Sequence, residues 1–182
     1  MSALLIVDVQ NDFCEGGALG APGNDEVVPV INNLMPKFKL KIASKDWHPE
    51  DTVHFDKWPP HCIRGTRGAE FHPELNTEDF EKVVLKGTGD KDDGYSSFEA
   101  TTDNLIELLK GKGVNTVYIA GLTTDYCVKN TVLDAIKNGF NTFVIEDGIR
   151  AVDVNPGDGE KAIREMKTEG AQFIKSDEVP GE

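Results

Sequence analysis

The sequence predicts an α/β fold: a single domain over residues 1–182, with a mostly parallel sheet of roughly six strands held between two layers of helices. Three observations carry that expectation. Short apolar runs alternate with segments of helical periodicity, the pattern of parallel strands joined by helical crossovers. The length, 182 residues, suits one core of useful size. No repeat, low-complexity stretch or linker interrupts the alternation.

The elements follow in order. Ala3 to Val9 (ALLIVDV) is apolar apart from Asp8 and reads as a buried strand. Glu26 to Phe38 places Val27, Val30, Ile31 and Leu34 at helical spacing, with Pro29 in the first turn, where proline is tolerated. Leu40 to Ser44 is a second strand and Lys82 to Leu85 a third. Thr102 to Lys110 repeats Leu105, Leu108 and Leu109 as a helix that Gly111 and Gly113 stop. Val114 to Ala120 is the fourth strand, and Thr124 to Asn138 a helix closed by Gly139. Thr142 to Ile145 is the fifth strand, Gly159 to Glu169 a helix, and Ala171 to Ile174 a last short strand. The segment from His48 to Leu75 breaks this rhythm. It is rich in Pro, His, Trp and Gly and too long for a plain connector, which favours a functional role.

Charge and composition exclude several classes. A formal net charge of -13 repels phosphate backbones, so nucleic acid is not an expected partner. No apolar run approaches a membrane span, and the N-terminus lacks the basic region of a signal peptide. Cys14, Cys62 and Cys127 form a sparse, odd set without CxxC spacing, which fits a reducing cytosol rather than a disulfide framework. A cytoplasmic protein is expected, with homo-oligomerisation left open.

In open parallel sheets, ligands bind beyond the carboxyl ends of the strands. Asp8 ends the first strand, Asp46 follows the second, Lys86 the third, and Gly121-Leu122-Thr123-Thr124-Asp125-Tyr126-Cys127 leads from the fourth into a helix. An isolated cysteine is more often a small buried hydrophobe than a nucleophile. Cys127, however, falls in the first turn of a helix, where the dipole and free N–H groups favour a thiolate. A lone lysine is usually at the surface. Asp8, inside an apolar run, needs a partner for its charge, and Lys86 on a nearby strand is the natural one. Asp46, His48, His54 and His61 supply an oxygen and nitrogen donor set without thiolate, suited to zinc, iron or manganese. Cys62 sits beside His61, but adjacent side chains diverge, so it is not counted as a ligand, and His72 reads as structural. Phe13, Trp58 and Tyr95 are core candidates singly, and walls for a flat ring together. There is no GxGxxG after the first strand and no P-loop.

Several of these pieces recur together in one known family. They are Ile6-Val7-Asp8-Val9-Gln10-Asn11-Asp12-Phe13-Cys14-Glu15-Gly16-Gly17, Lys45-Asp46-Trp47-His48-Pro49, Trp58-Pro59-Pro60-His61-Cys62, Phe71-His72-Pro73, Lys86-Gly87, Gly94-Tyr95-Ser96-Ser97-Phe98 and Gly121 to Val128. In this order, over nearly the whole chain, the sequence resembles the nicotinamidase/pyrazinamidase branch of the isochorismatase-like cysteine hydrolases. That resemblance implies the isochorismatase-like hydrolase fold and hydrolysis of nicotinamide to nicotinate and ammonia in NAD salvage, with pyrazinamide as a further substrate. It implies Asp8, Lys86 and Cys127 as the catalytic triad and the N–H groups of Thr123 and Cys127 as an oxyanion hole. It implies Asp46, His48 and His61 as ligands of one divalent metal, zinc first with iron or manganese as alternatives. His54 matches a fourth ligand position that differs between members. Phe13, Trp58 and Tyr95 match the pocket aromatics, and Leu122-Thr123 a cis peptide. The stretch from His54 to Trp58 is shorter than in some members, and Tyr126 stands where members differ. The competing expectations are a related amide or ureide hydrolase acting on another carboxamide, and a non-catalytic metal-binding or thiol-sensing protein.

Overall fold

The computed structural model describes residues 1–181. Strands β1 (Ser2–Val7), β2 (Lys41–Asp46), β3 (Lys82–Lys86), β4 (Thr116–Leu122), β5 (Asn141–Arg150) and β6 (Gln172–Ile174) form one sheet in the order β3-β2-β1-β4-β5-β6. Every pairing is parallel. Parallel strands covered on both faces have no reason to alternate apolar with polar residues. This is why the first strand reads as an unbroken apolar run.

Successive side chains of β1 enter different cores. Ala3, Leu5 and Val7 pack with Leu105 and Leu109 of α2 (Leu105–Gly111), Val132 and Ala135 of α3 (Lys129–Lys137), and Ala162 and Met166 of α4 (Asp158–Glu169). Leu4 and Ile6 pack with Val27, Val28, Ile31 and Leu34 of α1 (Val27–Leu34). The two layers are unequal. Among the described residues, α1 is the one α-helix on its face, and Phe13, Cys62, Ala69, Leu75 and Val179 complete that core. The long segment after β2 is therefore part of the packing. It is tied back by isolated bridges between His48 and Ile63 and between Gln10 and Phe71.

Element ends differ from expectation for local reasons. The helix expected over Glu26 to Phe38 keeps α geometry only over Val27–Leu34, with 3₁₀ turns at Asn24–Glu26 and Met35–Lys37. Pro36, inside the second turn, cannot continue the helical hydrogen bonds. Helix α2 starts at Leu105, three residues later than its apolar spacing suggests, because the Asn104 side chain accepts the N–H of Glu107 at 3.2 Å. The helix expected from Thr124 begins instead with a π-helical turn, Thr124–Val128, before α3. Such turns recur at functional sites.

The strand order reverses between β1 and β4, so a crevice opens past their carboxyl ends. There β4 and β5 slip in register between Ile119 and Gly121. Gly121 has φ +126°, and a Cβ on it would lie 2.1 Å from the Val7 carbonyl oxygen of β1. Only glycine fits this conformation and this approach. Gly121→Ala should cost about 3 kcal/mol or more, a fall in Tm of roughly 6–12 °C. Gly111→Ala, at a site with nothing within 4 Å of the added carbon, should leave Tm level or slightly raised. Equal melting temperatures for the two variants would refute the steric account.

Candidate active site

Four strand ends deliver chemistry to the crevice. Asp8 directly follows β1 at φ +49°, a backbone state uncommon outside glycine. Asp46 and Lys86 are the last residues of β2 and β3 and pair in register. Cys127 lies in the π-helical turn after β4. All four are buried, Lys86 and Asp8 completely.

Lys86 organises them. Its ammonium has three hydrogens and donates to Asp46 Oδ1 at 2.5 Å, Gly94 O at 2.5 Å and Cys127 Sγ at 3.4 Å. Asp8 Oδ2 lies 2.7 Å from Nζ, close enough for an ion pair. No donor is aligned with that oxygen, so it keeps an unused lone pair inside the protein. The other oxygen, Oδ1, accepts from Ser44 Oγ at 2.7 Å. Ser44 accepts from Ser97 at 2.8 Å, and Ser97 from Thr131 at 3.2 Å. This hydroxyl chain runs from α3 to the carboxylate and holds its plane.

Burial and charge compete at each group. Burial pulls Lys86 downward, but Asp46 and Asp8 outweigh it and hold the ammonium well above its usual value. Burial would raise Asp46, yet Lys86, with His48 and His61 close by, keeps it well below the carboxylate range. At Asp8 burial prevails over Lys86, and its pKa is raised. Cys127 corrects an expectation. Its place near a helix start suggested a thiolate, but burial drives its pKa well above that of a free thiol against the pull of Lys86, with Asp8 and Asp46 pushing the same way. The sulfur thus rests as a thiol. A base must take its proton, and the unpaired Asp8 Oδ2 is the acceptor at hand.

A second cluster adjoins the first. His48, His54 and His61 each offer a ring nitrogen within 4.8 Å of the others, and all three side chains are buried. Their Nδ1 atoms meet Gly87 O at 2.9 Å, Asp92 Oδ1 at 3.0 Å and Pro59 O at 2.8 Å. Those partners are acceptors, so each Nδ1 carries a proton, and in the neutral ring Nε2 is then the free lone pair. Burial, then the neighbouring His48 and His61, lowers the pKa of His54 and keeps it neutral. His48 Nε2 is buried without a hydrogen-bond partner. Asp46 Oδ2 lies 3.4 Å from His48 Nε2 and 3.7 Å from His61 Nε2. Three imidazole lone pairs and one carboxylate oxygen, oriented by outer hydrogen bonds, fit a divalent cation. Asp8, Asp46 and Cys127 also approach within 4.8 Å of one another, but the Lys86 ammonium supplies the positive charge there.

The structure brings Phe13, Trp58 and Tyr95 to one cavity with Asp46, His54, His61, Thr123 and Cys127, enclosing about 400 Å³ including its mouth. The Phe13 ring lies 5.6 Å from that of His61. The peptide Leu122–Thr123 is cis. His72 pairs with Asp25 at 3.3 Å and Cys62 Sγ faces Gly68 O at 4.0 Å, both outside the cavity.

Sequence reasoning missed several participants. Leu19, Tyr126 and Val152 also line the cavity, and the Tyr126 ring meets Trp58 edge-on at 4.7 Å. The Gln10 side chain accepts the N–H of Asp46 at 2.8 Å and donates to its carbonyl at 2.8 Å, fixing that residue from both sides. A Cβ on Gly87 would sit 2.4 Å from His48 Cε1, so glycine is required beside that imidazole. Gln10, Gly87 and Tyr126 fall inside the motifs quoted above, though no role was assigned to them there; Leu19 and Val152 carry no such signal in sequence.

Comparison with known proteins bears on the family and the fold. The Isochorismatase domain model matches residues 2–178. The chain is 38% identical over 198 residues to the nicotinamidase of Acinetobacter baylyi, covering 96% of this chain and 92% of that one. The pyrazinamidase of Pyrococcus horikoshii in complex with zinc superposes with a TM-score of 0.87 at 41% identity, covering 96% and 98% of the two chains. PnC1 from L. infantum in complex with nicotinate superposes with a TM-score of 0.92 at 33% identity, covering 100% and 96%.

The charge arrangement yields a stability test. Lys86→Met fills the same space but leaves Asp8 and Asp46 facing each other without a counter-charge. It should lower unfolding free energy by about 3–5 kcal/mol. A urea midpoint and slope unchanged from the parent would show that the ammonium does not hold the pair.

Proposed function

The chain belongs to the isochorismatase domain family, and from that premise we propose that it hydrolyses nicotinamide to nicotinate and ammonia through a thioester on Cys127. Pyrazinamide, a ring of the same shape bearing the same carboxamide, is its second substrate. One observation carries the reading. A buried thiol that lines a small aromatic cavity, whose wall includes His54 and His61, is backed by an ammonium and a carboxylate with an unused lone pair. The names of its relatives, nicotinamidases and pyrazinamidases, support the same substrate class.

In this reading the flat ring lies among Phe13, Trp58 and Tyr95, with its carboxamide over Cys127. We assign the cation as zinc, held by Asp46, His48, His54 and His61, in keeping with the zinc-complexed relative. When bound, it supplies a Lewis-acidic anchor for the ring nitrogen.

Asp8 Oδ2 takes the thiol proton as sulfur attacks the amide carbon. Lys86, already donating to sulfur, stabilises the forming thiolate. The backbone N–H groups of Thr123 and Cys127 hold the oxyanion, each worth about 3 kcal/mol when well aimed. Asp8 then gives its proton to the leaving nitrogen, the C–N bond breaks and ammonia departs, leaving the acyl group on sulfur. Asp8 next takes a proton from water as that water attacks the thioester carbonyl. The C–S bond breaks, the proton passes to sulfur, and nicotinate leaves with the thiol restored. One carboxylate serves as base, acid and base again.

Ammonia release measured across nicotinamide, pyrazinamide and carbamoyl compounds tests the substrate class. Hydrolysis confined to the carbamoyl compounds would favour the related ureide hydrolase. Cys127→Ala should abolish turnover while zinc content stays at the parent level; wild-type ammonia release from that variant would end the thioester account. Asp8→Asn should lower kcat roughly 10²–10⁴-fold, the range for loss of a general acid–base. Treatment with a chelator should remove activity and added zinc restore it.

A further inference from the structure

Among the residues that meet the imidazole cluster, Asp92 stands apart. It lies in the loop after β3, its side chain 39% exposed, and it matches none of the catalytic, pocket or ligand positions. Four groups nevertheless converge on its carboxylate or are chained to it. His54 Nδ1 meets Oδ1 at 3.0 Å, Tyr95 donates its O–H to the same Oδ1 at 2.5 Å, and Lys57 Nζ donates to Oδ2 at 3.2 Å. Trp58 Nε1 in turn donates to the Tyr95 oxygen at 3.1 Å.

The chemistry leaves this chain one direction. An indole N–H only donates, so the Tyr95 oxygen accepts from Trp58 and its own hydrogen goes to Asp92. An ionised carboxylate only accepts, so His54 Nδ1 must carry its proton. The Nε2 of His54 is thereby fixed as a lone pair on the side of His48 and His61. We propose that Asp92 is a positioning residue: it locks His54 in the tautomer that ligates the cation and ties that ligand, through Tyr95 and Trp58, to the aromatic wall of the cavity. His48 and His61 are held instead by the main-chain carbonyls of Gly87 and Pro59. Of the three imidazoles, His54 alone is oriented by a side chain, and that side chain is shared with the substrate wall. The inference rests on the reading of His48, His54, His61 and Asp46 as a cation site.

Zinc titration of the apo-protein in competition with a chromogenic chelator tests it. Asp92→Ala should weaken zinc binding about 10–100-fold, the usual effect of removing an outer-shell partner, and Asp92→Asn by less. The Tyr95→Phe variant should keep zinc affinity within threefold of the parent while KM for nicotinamide rises, since the links from Asp92 and Trp58 to the phenol are cut but the His54–Asp92 contact stays. In a His54→Ala background, Asp92→Ala should cause no further loss of zinc affinity. Losses that simply add, or zinc affinity within threefold of the parent in both Asp92 variants, would overturn the proposal. Should Asp92→Ala fail to fold, Asp92→Asn, which preserves shape, decides. The titration needs no turnover. A protein that binds zinc in this way yet leaves nicotinamide intact would sink the substrate assignment and keep this one.

Discussion

A single buried positive charge is the constraint on which the rest depends. Lys86 is fully enclosed and faces two carboxylates, a carbonyl oxygen and a thiol. Burying an unpaired ammonium is prohibitive, and so is burying Asp8 and Asp46 side by side without it. The three must be placed together or not at all. The parallel register supplies that placement, with Asp46 opposite Lys86 on adjacent strands and Asp8 one strand further along. The surplus of acid over base leaves one Asp8 oxygen without a hydrogen bond, and in the proposed chemistry that oxygen moves the proton.

Asp46 joins the two halves of the site. One oxygen receives the lysine hydrogen and the other points at His48 and His61. Gln10 clamps its main chain on both sides, so neither half moves without the other. Each cluster taken separately has a plain electrostatic reason. Their adjacency comes from one carboxylate with two faces.

Much of this was legible in the sequence. The alternation of apolar runs and helical periods anticipates the sheet and all four helices, and the strand-end rule collects Asp8, Asp46, Lys86 and Cys127 before any coordinates. What sequence did not disclose depends on long-range placement. The hydroxyl chain from Thr131 through Ser97 and Ser44 links residues whose polarity is unremarked in sequence. The neutral state of Cys127 arises from how deeply it is buried, which the helix-start argument omits. Helix ends moved because Asn104 capped one and Pro36 stopped another, local choices that apolar spacing does not register.

The unequal coverage of the sheet has a consequence for how the molecule opens. Cys62, Ala69 and Leu75 belong to the same packed cluster as Leu4 and Ile6, and they sit on the segment that also bears His54 and His61. That segment cannot detach as a flap without exposing the part of this core that α1 leaves uncovered. Its amides should therefore exchange slowly, with those of the core, in contrast to most ligand-binding loops, which occupy the least protected end of the scale. The molecule binds with a part of its own keel.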